Sequence, residues 1–127
     1  MILVDTSVWI EHFRTGSLHL QTLLVNEQVF GHPLIAGELA VGNLVARHDP
    51  LKMIDGLETA LVASNEEVRQ FLELHSLFGR GVGFIDLHLL LSVRLTPDAL
   101  LWTRDKRLHG MAKEMSVAYV EPAALTQ

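Results

Sequence analysis

The first seven residues, Met1-Ile2-Leu3-Val4-Asp5-Thr6-Ser7, decide the fold that the rest of the chain follows. An unbroken apolar run is typical of a strand that is buried on both faces, as in the middle of a parallel sheet. Asp, Thr and Ser commonly begin helices because their side chains accept hydrogen bonds from the free N–H groups of the first turn. The stretch therefore predicts a buried strand over residues 1–4 that leads into a short helix over residues 8–13.

Further along the chain, short apolar runs alternate with helical patterns. Strands are predicted at residues 29–30, 60–63, 100–103 and 117–120. Helices are predicted at residues 18–25, 33–46, 52–58, from the Ser64 capping box onward, 84–95 and 106–115. Such alternation is typical of an open, mostly parallel sheet with helices on both faces. We therefore expect an α/β fold with five mostly parallel strands, in one domain that spans residues 1–127.

Composition excludes several classes of protein. Of the 127 residues, 49% are hydrophobic, which is too many for a disordered chain, and the absence of cysteine excludes disulfides and thiolate metal sites. No long apolar stretch predicts a membrane span or a secretory signal, so we expect a cytoplasmic protein without membrane contact. The net charge of −5 argues against a protein that coats nucleic acid through bulk positive charge.

Four carboxylic acids lie at positions that are costly for a charge. Asp5 directly follows the first predicted strand and Asp105 closely follows the fourth, so both are expected where the carboxyl ends of parallel strands meet. Glu38 and Asp86 interrupt apolar helix faces, where a lone carboxylate loses hydration and either protonates or finds a partner. Each acid alone has a structural interpretation, since Asp5 and Asp105 can also cap helices. Their combination favours a functional site.

Four converging acids need more positive charge than one Arg or Lys side chain supplies. A hard divalent cation with oxygen ligands, such as Mg²⁺, supplies it. Mg²⁺ activates water and offsets the negative charge that develops on a phosphoryl group during displacement. The chain has no Walker loop, no cysteine and no recognisable nucleophilic serine, so the pattern favours hydrolysis of a phosphodiester by water.

Six further residues flank the acids and are candidates for positioning water or substrate. The hydroxyl-bearing candidates are Thr6, Ser7 and Thr103. The basic candidates, which could hold substrate phosphates, are Arg104, Lys106 and Arg107. A solvated helix start is an equally good interpretation of the three basic residues.

Four motifs, in this order, resemble those of the PIN-domain family, specifically the VapC-type toxins of toxin–antitoxin pairs. They are Val4-Asp5-Thr6-Ser7-Val8-Trp9-Ile10, Gly37-Glu38-Leu39, Gly83-Phe84-Ile85-Asp86 with the leucines at 89–91, and Leu101-Trp102-Thr103-Arg104-Asp105-Lys106-Arg107-Leu108. Each motif is short, but four in register over essentially the whole chain are specific. The resemblance implies a PIN-like α/β/α sandwich around a parallel sheet.

The resemblance also implies an endoribonuclease that depends on Mg²⁺ or Mn²⁺ and acts on tRNA, rRNA or mRNA. It implies a homodimer and a small antitoxin whose C-terminal segment covers the active site. In the family, the positions of Asp5 and Asp86 are the principal metal ligands, while those of Glu38 and Asp105 complete the pocket, in part through water. His88 stands where many relatives carry a small residue, and we interpret it as a packing or surface residue.

Two other functions stay open at this stage. A PIN fold can serve as a non-catalytic binding module, although the presence of all four acids argues against it. A phosphoaspartate receiver or phosphatase also places an Asp at the end of a strand. Receivers carry further acids beside the first strand, whereas Leu3 and Val4 precede Asp5 here and no Asp-x-Asp pattern occurs.

Overall fold

The computed structural model of this protein describes residues 1–122. Residues 123–127, which the predicted domain includes, lie outside the described part. The helices and strands are β1 (Ile2–Val4), α1 (Thr6–Thr15), α2 (Leu18–Val25), β2 (Val29–Gly31), α3 (Pro33–Val41), α4 (His48–Asp55), β3 (Glu58–Thr59), α5 (Asn65–Leu74), α6 (Phe84–Leu95), β4 (Leu100–Trp102) and α7 (Lys106–Glu114).

The sheet has the strand order β3-β2-β1-β4, and all its neighbouring strands are parallel. Leu3 of β1 pairs with Phe30 on one side and with Leu101 on the other, so the first strand lies inside the sheet as predicted. The α/β class with a parallel sheet is confirmed. Because parallel strands bring their carboxyl ends to one edge, the ends of β1 and β4 are neighbours.

The sheet has four strands within residues 1–122, rather than the five predicted. The segment predicted as a strand at 117–120 forms only a single parallel bridge, between Leu101 and Ala118. Leu101 donates its N–H to the carbonyl of Val117, and Tyr119 donates to the carbonyl of Leu101. Two backbone hydrogen bonds hold this segment beside β4, which is too few to define a strand.

The third strand lies earlier than predicted. The pairing with β2 involves Glu58 and Thr59, both exposed, whereas the apolar run at residues 60–63 follows the strand. Ala60 still donates to the carbonyl of Gly31, but Leu61 donates instead to the Thr96 hydroxyl, so the chain leaves the sheet there. In this run Ala60 and Ala63 are buried, whereas Leu61 and Val62 are exposed, so its apolar character reflects neither pairing within the sheet nor complete burial.

Three helices also differ from the prediction. Helix α1 covers Thr6–Thr15 and is longer at both ends than the predicted residues 8–13. Helix α3 ends at Val41 instead of continuing to residue 46, because Gly42 adopts an extended conformation. Helix α4 covers His48–Asp55 and not residues 52–58. The predicted bounds of α2 and α6 are confirmed, and the Ser64 capping box is present with both of its hydrogen bonds.

The core forms around β1 and α6. Leu3 and Val4 are fully buried, as are Trp9, Leu89 and Leu90. Each such side chain contributes about 1.5–3 kcal/mol on removal from water. Helix α6 is buried continuously from Leu87 to Val93, so its position in the molecule is strongly constrained. Within residues 1–122, none of the helices combines the length and the apolar character needed to cross a membrane.

Two buried histidines fix the helices that carry Glu38 and Asp86. The Nδ1 of His32 accepts a hydrogen bond from the N–H of Leu34 and caps α3. The neutral ring therefore carries its proton on Nε2, which donates to the Ser92 hydroxyl of α6 at 3.0 Å. His88 is also buried, with Nε2 at 2.7 Å from the amide oxygen of Asn65. Of the two interpretations of His88, packing is the correct one.

Candidate active site

Asp5 lies at the carboxyl end of β1 and is also the residue that caps α1. Its Oδ1 accepts a hydrogen bond of 2.7 Å from the N–H of Thr6, and its Oδ2 accepts one of 2.8 Å from the Thr103 hydroxyl. The Ser7 hydroxyl lies 3.5 Å from the same Oδ2. Only 7% of Asp5 is exposed. Asp5 is buried here because β1 leads directly into α1, whose first turn Asp5 caps. Thr103, which directly follows β4, supplies a second hydrogen-bond donor.

Asp105 follows β4 and caps α7 in the same way. Its Oδ1 accepts hydrogen bonds of 2.9 Å from the N–H groups of Arg107 and Leu108. The backbone N–H of Asp105 donates to the Thr103 hydroxyl at 3.1 Å, and that hydroxyl in turn donates to Asp5. One threonine thus links the two acids that end neighbouring strands.

Glu38 projects from α3 toward the first turn of α1. Its Oε1 accepts a hydrogen bond of 2.7 Å from the Thr6 hydroxyl. The expected apolar stripe around Glu38 is only partly present, because Ile35 is buried whereas Val41 and Val45 are 89% and 90% exposed. Glu38 is therefore half-buried at the boundary of the core.

Asp86 lies in the first turn of α6, a helix that begins at Gly83 without a side-chain cap. Burial, and then the negative charge of Asp5, together raise the pKa of the Asp86 carboxyl to about 6. The charges of Asp105 and Glu38 act in the same direction, while the backbone of Gly83 opposes them. The structure therefore brings the four predicted acids near one another, and we call this group the acidic edge.

Within residues 1–122, none of the four acids has an ion pair with Lys or Arg. The Arg104 guanidinium pairs instead with Glu11 at 3.2 Å and with Glu121 at 3.0 Å. The four carboxylates are therefore held by hydroxyl and backbone donors and not by positive side chains.

The two other basic candidates take different positions around Asp105. The Arg107 guanidinium lies against Gly81, where the positive φ of 79° and the absence of a Cβ leave room for it. Lys106 is exposed at the start of α7. The prediction that Arg104, Lys106 and Arg107 together hold substrate phosphates stays a prediction. The structure places Arg104 and Lys106 beside the same cavity and Arg107 against Gly81.

The donor set fits a hard divalent cation, because it consists of carboxylate oxygens whose mutual repulsion no cationic side chain in residues 1–122 relieves. In the described part of the chain, no three carboxylates or imidazoles already stand in an arrangement that holds an ion. Oxygens of Asp5, Glu38 and Asp105 instead accept hydrogen bonds. The assignment of all four acids to one ion stays a prediction.

Sequence reasoning did not identify the polar contacts that support the acidic edge. Thr6 and Thr103 were expected beside water or substrate, whereas their hydroxyls donate to Glu38 and Asp5. The link from His32 to Ser92 was also missed. The available signal was a histidine directly before Pro33, at a position where a side chain can cap the helix.

Comparisons with known proteins show a similarity that extends along the chain. The sequence is 44% identical over 121 residues to ribonuclease VapC32 of Mycobacterium tuberculosis, in strain CDC 1551 / Oshkosh and equally in strain ATCC 25618 / H37Rv. The aligned part is 95% of this chain and 98% of the relative. No protein-family model matches the sequence.

Proposed function

The chain belongs to the VapC family of toxin ribonucleases, and on this premise we propose that it is a Mg²⁺-dependent endoribonuclease that hydrolyses RNA phosphodiester bonds with water. The observation that carries this proposal is the acidic edge, with four carboxylates near one another and no cationic side chain of residues 1–122 paired with them. A protein that only bound RNA would gain from positive charge at this position.

We propose Asp5 and Asp86 as the principal ligands of the ion, with Glu38 and Asp105 completing the site directly or through water. When bound, Mg²⁺, or Mn²⁺ as a substitute, supplies a positive charge that acidifies water and stabilises the charge developing on the phosphoryl group. This ligand set is supported by the oxygen-only donors and by the effect of three neighbouring charges on Asp86.

The remaining residues of the site act by orienting the acids. The Thr6 hydroxyl holds Glu38, and the Thr103 hydroxyl holds Asp5 while it accepts from the backbone of Asp105. Such donors restrict the rotation of a ligand side chain, and their loss typically costs about 10- to 100-fold in metal affinity or activity. At 3.5 Å from Asp5, the Ser7 hydroxyl contributes less to this orientation.

The proposed substrates are tRNA, rRNA or mRNA, and the proposed location is the cytoplasm, where these RNAs are found. Arg104, Lys106 and Arg107 surround Asp105 in sequence and are proposed to contact substrate phosphates. Arg104 and Lys106 line the same cavity at the start of α7, which supports a phosphate contact there.

We propose a small cognate antitoxin as the protein partner. A cavity of about 550 Å³ lies between α1 and the end of α3, with apolar walls that include Ile10, Phe13 and Leu44. Glu38 of the acidic edge also lines this cavity. An amphipathic helix that inserts apolar side chains here would cover the site at the same time. Val45 also lines this cavity, whereas Val25 is exposed at the end of α2. Val45→Asp should therefore weaken binding of the protein encoded directly upstream, and the control Val25→Asp should not.

We also propose that the protein is a homodimer. Large apolar side chains are exposed outside the acidic edge, including Leu74 at 80% and Phe78 at 61%, and their burial between two copies would be favourable. Sedimentation equilibrium measures the mass in solution. A monomer at micromolar concentration would contradict this part of the proposal.

The central test is RNA cleavage by the purified protein with total RNA in Mg²⁺ and in EDTA. Wild-type protein and the control Asp55→Asn, which removes an exposed acid at the end of α4, should cleave in Mg²⁺ only. Asp5→Asn should not cleave under either condition. Circular dichroism then shows whether the variant is folded, and sequencing of the RNA ends identifies the substrate. Cleavage that persists in EDTA, or in a folded Asp5→Asn, would contradict the proposal.

A further inference from the structure

A cavity of about 360 Å³ lies directly beside the acidic edge, and we call it the α7 cavity. Its lining includes Thr103, Arg104, Lys106, His109 and Tyr119. Its volume falls at the lower end of the range for small-ligand sites, which is about 300–1,000 Å³. A space of this size suits one nucleotide.

The α7 cavity shares a wall with the acidic edge. Thr103 lines the cavity, and its hydroxyl donates to Asp5 at 2.8 Å and accepts from the N–H of Asp105 at 3.1 Å. A molecule in the cavity therefore lies one side chain away from two of the acids. An RNA strand that places one phosphodiester at the acidic edge would place its next nucleotide in reach of this cavity.

The cavity carries positive charge in a chain whose net charge is −5. Lys106 and Arg104 both line it, and His109 lies one turn after Lys106 on the same face of α7. The only acid among the lining residues, Glu121, pairs with Arg104 at 3.0 Å. Lys106 has no ion pair within residues 1–122. Arg104 is also paired with Glu11 at 3.2 Å, so the positive charge that is left to bind a phosphate is that of Lys106.

An aromatic wall completes the cavity. The ring of Tyr119 stacks on His19, with centroids 5.7 Å apart and an angle of 10° between the planes, and lies 5.4 Å from the ring of Trp102. The Tyr119 hydroxyl also forms a hydrogen bond with the His19 ring. These contacts hold Tyr119 in place, so that little conformational entropy is lost when a base packs against it.

We propose that the α7 cavity binds one nucleotide of the RNA next to the cleaved bond, with its phosphate on Lys106 and its base against Tyr119. The inference rests on the proposed function, because it assigns a subsite for the substrate of that reaction. Within this subsite the phosphate lies on Lys106, whereas Arg107 packs against Gly81 and does not line the cavity.

Titration with adenosine 5′-monophosphate and uridine 5′-monophosphate in EDTA, followed by ¹H–¹⁵N NMR, tests the proposal without metal or cleavage. The amide signals of Lys106, His109 and Tyr119 should shift. Lys106→Gln should raise the apparent Kd about tenfold, as expected for loss of a charged hydrogen bond. Lys113→Gln, which removes the same charge near the other end of α7, should leave the Kd unchanged.

A second pair of variants tests the aromatic wall. Tyr119→Leu should weaken binding of both nucleotides about tenfold because base stacking is lost. Tyr119→Phe keeps the ring but loses the hydrogen bond to His19, so it should bind more tightly than Tyr119→Leu. Inorganic phosphate alone should shift the Lys106 signal but compete only weakly. Equal Kd values for Lys106→Gln and Lys113→Gln, or shifts confined to other regions, would overturn the proposal.

The RNA-cleavage assay distinguishes failure of the nucleotide subsite from failure of the proposed ribonuclease function. Wild-type cleavage in Mg²⁺ without nucleotide shifts at the α7 cavity would overturn the subsite and leave the ribonuclease proposal standing. Nucleotide binding that depends on Lys106, together with no RNA cleavage, would support the subsite and contradict the ribonuclease proposal.

Discussion

The acidic edge and the buried histidines of α3 and α6 both contain titratable groups, and the structure shifts their pKa values in opposite directions. At the acidic edge, burial and the charge of Asp5 raise the pKa of Asp86 to about 6. In the interior, burial and then the charge of His88 lower the pKa of His32 to about 4. Both environments favour the neutral form, because each disfavours an isolated charge.

The two regions differ in what compensates for that cost. His32 uses both ring nitrogens, since Nδ1 caps α3 and Nε2 donates to Ser92, so its neutral form is well accommodated. Asp86 faces three other carboxylates and caps no helix. The hydrogen bonds of His32 therefore compensate for its burial, while the acidic edge keeps four carboxylates close at a cost to stability. A cost of this kind is typical of a functional site.

The largest expected effect is the loss of RNA cleavage when one acid of the acidic edge is replaced. Asp86→Asn should lower RNA cleavage by more than about 100-fold, beyond the range for loss of a residue that only orients a ligand. The same change removes one of four repelling charges, so the melting temperature in EDTA at pH 7.5 should rise. Cleavage of total RNA and calorimetry measure the two effects. Asp55→Asn is the control, and a folded Asp86→Asn with wild-type cleavage would contradict the assignment.

Replacing Thr103 tests the support of the acidic edge without changing its charge. Thr103→Val is nearly isosteric but removes the donor to Asp5 and the acceptor for Asp105, and we expect cleavage to fall about 10- to 100-fold. Thr22→Val, whose exposed hydroxyl bonds only to a carbonyl of its own helix, is the matched control. Equal rates for the two variants would show that the hydroxyl does not orient the site.

The hydrogen bonds of the buried His32 are tested through the free energy of unfolding. His32→Leu removes the cap of α3 and the hydrogen bond to Ser92, so the free energy of unfolding should fall by about 1–3 kcal/mol. His32→Asn should lose less, because Asn can still cap the helix. Urea unfolding measures both, with His48→Leu as a control at an exposed site. A loss as large in the control as in His32→Leu would contradict the role of the buried ring.

The smallest expected effect is on how stability depends on pH, measured by urea unfolding in EDTA. His32 has an ordinary pKa of 6.5 and a folded pKa of about 4. Between these values the unfolded chain binds the extra proton, so this group makes stability rise with pH. Asp86 has an ordinary pKa of 3.8 and a folded pKa of about 6. Here the folded chain binds the extra proton, so this group makes stability fall as pH rises.

Between about pH 4 and pH 6, His32 makes stability rise with pH and Asp86 makes it fall. Single variants separate these two contributions. Asp86→Asn should make stability rise more steeply with pH in this window than in the wild type. His32→Leu should make the rise shallower or reverse it. Parallel curves for wild type and both variants would contradict the opposed titrations.

Much of the fold was predictable because its signals are local. The apolar run of β1 followed by Asp5, the capping box at Ser64 and the periodicity of α6 depend only on neighbouring residues. The strand β3 was misplaced because pairing depends on where β2 ends, and the apolar run at 60–63 follows Thr59, the last residue that pairs. The segment at 117–120 was overpredicted because β propensity does not show how many hydrogen bonds a neighbouring strand offers.

For the candidate site, too, some features were predictable from the sequence and others were not. The four acids stood out in the sequence since a carboxylate beside a strand end or within an apolar helix is unusual, and their family resemblance agrees with the 44% identity to a VapC ribonuclease. Their supporting contacts could not be predicted, because they join residues far apart in the chain, such as Thr103 with Asp5 and Thr6 with Glu38. The pairing of Arg104 with Glu11 and Glu121 is of the same kind.

By itself, the sequence determined the α/β class and the caps at Asp5 and Ser64, and it singled out the four acids that we propose as ligands, because these follow from residue type and spacing over one or two turns. Only the tertiary structure decided which hydroxyl holds which acid and that Arg104 and Lys106 share the α7 cavity while Arg107 lies against Gly81. It also decided that Asp86 has a pKa near 6. The physical reason is that hydrogen bonding and desolvation depend on distances of a few ångströms between side chains, which form only when the helices pack on the sheet.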